Sequence, residues 1–100
     1  MSRKPLEERR VEEFLAGRAG WALDGGKLCR EYRFADFVSA FGFMSSAALV
    51  AEAMNHHPDW TNVYGRVRVE LVTHDAGGLT ELDLELARRM DELAERQPSA

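Results

Sequence analysis

The three histidines of this chain, at positions 56, 57 and 74, are the side chains best suited to move protons near neutral pH. A free imidazole changes charge at about pH 6.5, so it can serve as an acid or a base under physiological conditions. His56-His57-Pro58 stands where a long apolar run stops, and His74 where an alternating run gives way to Asp75-Ala-Gly-Gly78. Ends of elements are where functional groups are usually displayed. Three readings are open. As metal ligands the histidines would supply three nitrogens. Adjacent histidines rarely converge on one ion, however, and there is no second cysteine and no H-x-x-x-H spacing, so no metal is expected. As structural groups they would cap a helix and bond to backbone. As an acid/base pair they would have to meet across a cleft, which spacing cannot show.

The elements that must position them follow from hydrophobic period. Pro5 fits the first turn of a helix running to about Gly17, with Val11, Phe14 and Leu15 as a narrow apolar stripe. Residues 21–24 and 27–34 flank Gly25-Gly26 as a β-hairpin. In its second arm Leu28, Tyr32 and Phe34 point one way, and Lys27, Cys29, Glu31 and Arg33 the other. Residues 36–55 predict a long helix, ended by Pro58, with no charged residue from Phe37 to Ala51. Phe34, Phe37, Phe41, Met44 and Ala48 make one apolar stripe, and Ala40, Phe43, Ala47, Val50 and Met54 a second. Only Ser39, Gly42 and Ser46 leave a narrow small or polar arc. A helix apolar nearly all round is buried on several sides, more than one small domain can cover. A homo-oligomer, dimer or tetramer, is therefore expected through the 37–51 helix and the sheet edges.

Residues 62–73 alternate again, with Val63, Val67, Val69, Leu71 and Thr73 on one face and Tyr64, Arg66, Arg68, Glu70, Val72 and His74 on the other. Gly65 can split this run into two strands. A last helix starts near Thr80, with Leu82, Leu86, Met90 and Leu93 on its apolar face. Pro98-Ser99-Ala100 reads as a frayed tail. The order α-β-β-α-β-β-α predicts an α+β fold: a small antiparallel sheet of three to four strands with three helices packed on one face.

The 100 residues make a single domain, 1–100, and the net charge of −4 argues against wholesale nucleic-acid binding. The lone Cys29 cannot form an internal disulfide, which fits a reducing compartment. The segment Met1-Ser-Arg-Lys-Pro-Leu-Glu-Glu-Arg-Arg10 has no apolar run behind its charges, so it is not read as a secretory signal. No membrane span is expected, and the cytoplasm is the expected location.

The neighbours of the histidines narrow the readings. Glu52, His56-His57-Pro58, Trp60, Asn62-Val63-Tyr64, Thr73-His74-Asp75, Gly77-Gly78-Leu79-Thr80 and Asp83 closely resemble the pterin-4a-carbinolamine dehydratase family in type and offset. Gly20-Trp21 and Phe34-Ala-Asp-Phe37 through Ala40-Phe-Gly-Phe-Met44 are similar to the family's N-terminal half, so the resemblance covers nearly the whole chain. It implies a hydro-lyase that removes water from 4a-hydroxytetrahydropterin, the species an aromatic amino acid hydroxylase releases, to give quinonoid dihydropterin without metal or organic cofactor. It implies His56 and His74 as the acid/base pair and His57 as an auxiliary group. Asn55, His56, His57, Val72, Thr73, His74 and Asp75 would then line the pterin, with Glu52, Pro58, Trp60, Tyr64 and Asp83 in support. The family often has an acid where Asn55 stands and a serine where Val72 stands. Its members can also stabilise a transcription factor, so an oligomerising module for such a partner, or for a hydroxylase, is the alternative. Local readings stand beside these roles: Asp83 with Thr80 resembles a capping box, Glu52 shares a helical face with His56, and Trp60 and Tyr64 suit packing.

Overall fold

The computed structural model describes residues 3–100; Met1 and Ser2, the first two residues of the segment read above as no secretory signal, lie outside the described residues. The elements run α1 (Glu8–Ala16), β1 (Ala22–Asp24), β2 (Lys27–Arg33), α2 (Phe37–Met54), β3 (Asp59–Val63), β4 (Arg66–Leu71) and α3 (Glu81–Ala94). Between β4 and α3, residues His74–Ala76 form one 3-10 turn. The four strands make an antiparallel sheet in the order β1-β2-β4-β3. This is the expected α+β architecture, with the helices on one face.

That face is built from period-2 alternation. Leu28 and Tyr32 of β2 and Val67, Val69 and Leu71 of β4 point into the core, where α2 meets them with Ala40, Phe43, Ala47 and Ala51. Helix α3 adds Leu84, Leu86, Ala87 and Met90, and α1 adds Val11 and Phe14. Tyr32, Phe34 and Phe43 pack ring against ring, with centroids 4.7 to 6.0 Å apart. Gly25 and Gly26 both have positive φ, as a two-residue hairpin turn between right-twisted strands requires.

Several boundaries and faces differ from expectation. Pro5 precedes α1 rather than opening it, because Leu6 N–H donates to Leu79 O at 2.8 Å and docks this segment beside α3 in an extended form. Cys29 does face away from the helices, yet it is only 6 % exposed, and burial, followed by the nearby Glu70, pushes its thiol up from the usual range. Val63 lies in β3 opposite Arg66 and is exposed, because the Tyr64-Gly65 turn reverses the chain and moves Val63 onto the charged face. The C-terminus is tied down: Ser99 bridges Phe34, Ala35 N–H donates to Pro98 O, and Ala100 N–H donates to Arg33 O.

Helix α2 has one covered and one uncovered apolar face. Of the two stripes, the one carrying Ala40, Phe43 and Ala47 is the core face, while Phe37 and Phe41 of the other are about half exposed. Val38 and Leu49 are 79 % and 75 % exposed beside them, so the uncovered surface is apolar. The small arc is not the solvent side. Ser39 is buried, and Gly42 lies where a Cβ would stand 3.2 Å from Gln97 Nε2, letting the chain after α3 approach closely. Contrary to expectation, α2 is long and apolar enough to cross a bilayer by length and mean hydropathy (1.5), though its inner stripe forms the core of the sheet domain.

Gly65 closes the β3–β4 turn against the end of β2. Phe34 N–H donates to Gly65 O at 2.7 Å, and a Cβ on Gly65 would stand 2.4 Å from Phe34 O. Backbone cannot swing aside as a flexible side chain can. Gly65→Ala is therefore expected to destabilise the fold by about 1–3 kcal/mol, read as a lower urea midpoint at unchanged slope. An unchanged midpoint would show that the turn relaxes freely.

Candidate active site

Helix α2 delivers the first two histidines, and its ending sets their direction. Asp36 caps the start, its side chain accepting from Ser39 N–H at 2.8 Å. The end comes at Asn55, the expected bound: Asn55 takes the left-handed conformation (φ 52) that an amide side chain tolerates, and His56 N–H turns back to Ala51 O at 3.0 Å. This reversal aims His56 inward and His57 outward.

His56 is buried. Its Nε2 lies 2.6 Å from Asp83 Oδ1, with side chains 7 % and 0 % exposed. Asp83 sits in the first turn of α3, where it forms a capping box with Thr80, whose backbone N–H donates to Asp83 Oδ2 at 2.9 Å. Thr73 Oγ1 also donates to Oδ2, at 2.8 Å, and lies 2.8 Å from Thr80 Oγ1. The capping role read from the sequence is present, and the same carboxylate also holds a histidine. Nothing in the Thr80-x-x-Asp83 spacing signals that second contact, because its partner lies 27 residues away.

His57 is exposed, with Nε2 2.8 Å from Glu52 Oε1, both side chains more than half in solvent. Sheet register brings the remaining segment to the same place. Asp59 pairs with Glu70, so the chain before β3 and the chain after β4 leave the sheet at one end. His74 opens the 3-10 turn there, exposed, directly after Thr73. Asn55 and Asp75 are exposed at this end too, and Asp75 lies 3.6 Å from Arg3; Val72 and Pro58 are half-buried. Thr73, expected to line a ligand, is 1 % exposed with its hydroxyl committed to Asp83 and Thr80. Trp60 packs against the core opposite Val69. Tyr64 is not brought near: it is 81 % exposed in the β3–β4 turn, at the far end of that hairpin. Among the described residues no group of three or more His, Cys, Asp or Glu is arranged to hold a metal ion.

A separate cleft of about 560 Å³ opens beside β2 and the end of α3, lined among others by Arg18, Arg30, Tyr32 and Asp91. Asp91 accepts from Arg18, Arg30, the Trp21 indole and the Tyr32 hydroxyl, while the buried Arg30 Nε has no hydrogen-bond partner among the described residues. Burial, then the Asp91 bond, pushes the Tyr32 hydroxyl far above the usual phenol range, which keeps it a donor.

Comparison with known proteins finds relatives over nearly the whole chain. The family model for pterin 4 alpha carbinolamine dehydratase matches residues 4–93. A relative from Solibacter usitatus, named for that dehydratase, is 56 % identical over 89 residues, covering 89 % of this chain and 94 % of its own. One from Rhizobium etli, similarly named, is 54 % identical, covering 97 % and 98 %. A solved structure from Brucella melitensis, described as a transcriptional coactivator/pterin dehydratase, superposes with TM-score 0.87 at 45 % identity, covering 91 % of this chain and 99 % of that one. A pterin dehydratase-like RuBisCO assembly factor of the alpha-carboxysome shares the fold at TM-score 0.68 and 22 % identity, covering 77 % and 92 %. The fold and the family match thus place the chain in a class of small α+β hydro-lyases. The chain belongs to the pterin-4-alpha-carbinolamine dehydratase family.

Proposed function

We propose that this protein removes water from 4a-hydroxytetrahydropterin to give quinonoid dihydropterin, with its histidines as the proton-transfer groups. The observation that carries the reading is the buried His56–Asp83 pair at the sheet end that also presents His57 and His74. The carbon losing hydroxide adjoins N5, whose lone pair forms the new C=N bond as the C–O bond breaks. One group protonates the departing oxygen, and another accepts the N5 proton, so no redox partner is needed. His56 and His74 divide these roles, each worth roughly 10²–10⁴-fold, and His57, steadied by Glu52, orients the substrate. Asn55 offers an amide to the pterin without a charge beside His56. Recycling pterin for an aromatic amino acid hydroxylase in the cytoplasm is the setting this chemistry suits.

The test is rapid-mixing ultraviolet spectroscopy on freshly generated 4a-hydroxytetrahydropterin. The protein is expected to accelerate dehydration clearly over the spontaneous rate; equal rates with and without protein would remove the reading.

One observation favours an additional binding role. The outer face of α2 exposes Phe37, Val38, Phe41 and Leu49 together, an apolar surface that soluble monomers rarely leave bare. We assign it to a second copy of this chain, with the open edge of β3 as a further contact. The coactivator description of the Brucella melitensis protein keeps a heterologous partner on the same surface as the alternative. Wild type is expected to sediment as a dimer or tetramer and a Phe41→Glu/Leu49→Glu variant as a monomer. A monomeric wild type would rule out self-association through this face.

A further inference from the structure

The bonds around Asp83 have a direction that follows from which groups can donate. A carboxylate only accepts, so the hydrogen between Thr73 and Asp83 is Thr73's own. The Thr80 hydroxyl, which accepts from Leu82 N–H at 3.2 Å, must then be the donor to Thr73 Oγ1 at 2.8 Å. Thr73 in turn gives its hydrogen to Asp83 Oδ2 at 2.8 Å. The Thr80 backbone N–H ends on the same oxygen at 2.9 Å. A row of donors therefore runs one way and stops at a carboxylate in the first turn of α3, where the positive end of the helix dipole favours an anion. Oδ1 remains as an acceptor, and it faces His56 Nε2 at 2.6 Å. Among the described residues no hydrogen bond engages His56 Nδ1.

We infer that His56 is held as the Nε2–H tautomer, donating to Asp83, so that Nδ1 is the atom exchanging a proton with substrate, and that the Thr73 hydroxyl is the positioning group that fixes this arrangement. The role in proton exchange rests on the dehydratase reading; the tautomer does not. Thr73 is suited to the task because it is 1 % exposed, so water does not compete for its hydroxyl. It also immediately precedes His74, so one side chain couples the segment carrying the second histidine to the pair holding the first. Without the Thr73 hydrogen bond, Oδ2 keeps only the Thr80 backbone N–H, the carboxylate is free to turn, and its hold on His56 Nε2 loosens, so the Nδ1–H tautomer, which carries the same number of protons, becomes competitive.

The test is a long-range ¹H–¹⁵N correlation on the full chain with ¹⁵N-labelled histidine, recorded at about pH 8, where a free imidazole is neutral. Wild type is expected to show a pyrrole-like Nε2 and a pyridine-like Nδ1 at His56. Thr73→Val is expected to mix the two tautomers and to slow dehydration about tenfold, the effect of one lost buried hydrogen bond, while Thr73→Ser restores both signals. Should Thr73→Val not fold, Thr73→Ala is read for the same two outcomes. A pyrrole-like Nδ1 in wild type overturns the inference, and so does a hydroxyl-free variant with the wild-type spectrum and rate. An Nε2–H tautomer in a protein that does not accelerate dehydration would support the tautomer while removing the dehydratase reading, so the two fail separately.

Discussion

His56→Ala and His74→Ala are each expected to lower the dehydration rate by roughly 10²–10⁴-fold, the usual worth of a positioned acid or base. Their effects on stability should differ sharply, because the two histidines sit in opposite environments. His74 is exposed at the head of a 3-10 turn, and its removal should leave the melting temperature within about 2–4 °C, the ~0.5 kcal/mol typical of surface sites. His56 is buried on a fully buried carboxylate, so truncating it leaves Asp83 without its 2.6 Å partner. Removing one member of such a pair costs about 3–5 kcal/mol, even though the pair itself adds less to stability than that. Rate measurements and thermal melts on the two variants check this together. Equal melting temperatures would mean that water replaces the imidazole beside Asp83, and a wild-type rate in either variant would remove that histidine from the chemistry.

The second large effect lies away from the histidines. Asp91→Ala is expected to destabilise the protein by about 3–5 kcal/mol, a substantial share of the 5–15 kcal/mol typical of a small domain. The carboxylate is 12 % exposed and is the common acceptor for Arg18 and Arg30 at 2.9 Å, for Tyr32 at 2.6 Å and for Trp21 at 3.0 and 3.1 Å. It joins α3 to β2 and to the loop after α1. Without it two guanidinium groups face each other unneutralised, and the Tyr32 and Trp21 donors lose their partner in a buried setting. Arg30 is already confined, stacked 4.5 Å over the Tyr32 ring and pressed against Gly20, so it has little freedom to turn away. For a domain of this size the melting temperature should fall by roughly 15–25 °C, with Asp91→Asn intermediate. A loss below about 1 kcal/mol would show the cluster to be an exchangeable surface network.

What sequence could and could not show divides along physical lines. Period and turn chemistry are local, so the alternation of β2 and β4, the Gly25-Gly26 turn, the Asp36 start of α2 and the Thr80/Asp83 cap were all legible. Buried residues on one side of each element follow from the same arithmetic. Local pattern misled where a distant contact decided the outcome. Pro5 looked like a helix start until Leu79 held the neighbouring backbone, and the C-terminal residues looked frayed until Phe34 bridged Ser99. Val63 was assigned to the wrong face because a turn's position, not composition, sets strand parity.

The three histidines show the same division. Their identity, their places at element ends and their spacing from Glu52, Tyr64 and Asp83 were fixed by sequence, and that was enough for the family resemblance. Their inequality was not. Only the tertiary structure buries His56 on Asp83, leaves His57 and His74 in solvent, and sends Tyr64 to the far end of its hairpin. The reason is that a side chain's partner across a fold depends on register and on the angle at which a helix ends. Here the left-handed Asn55 and the Asp59–Glu70 pairing decide both.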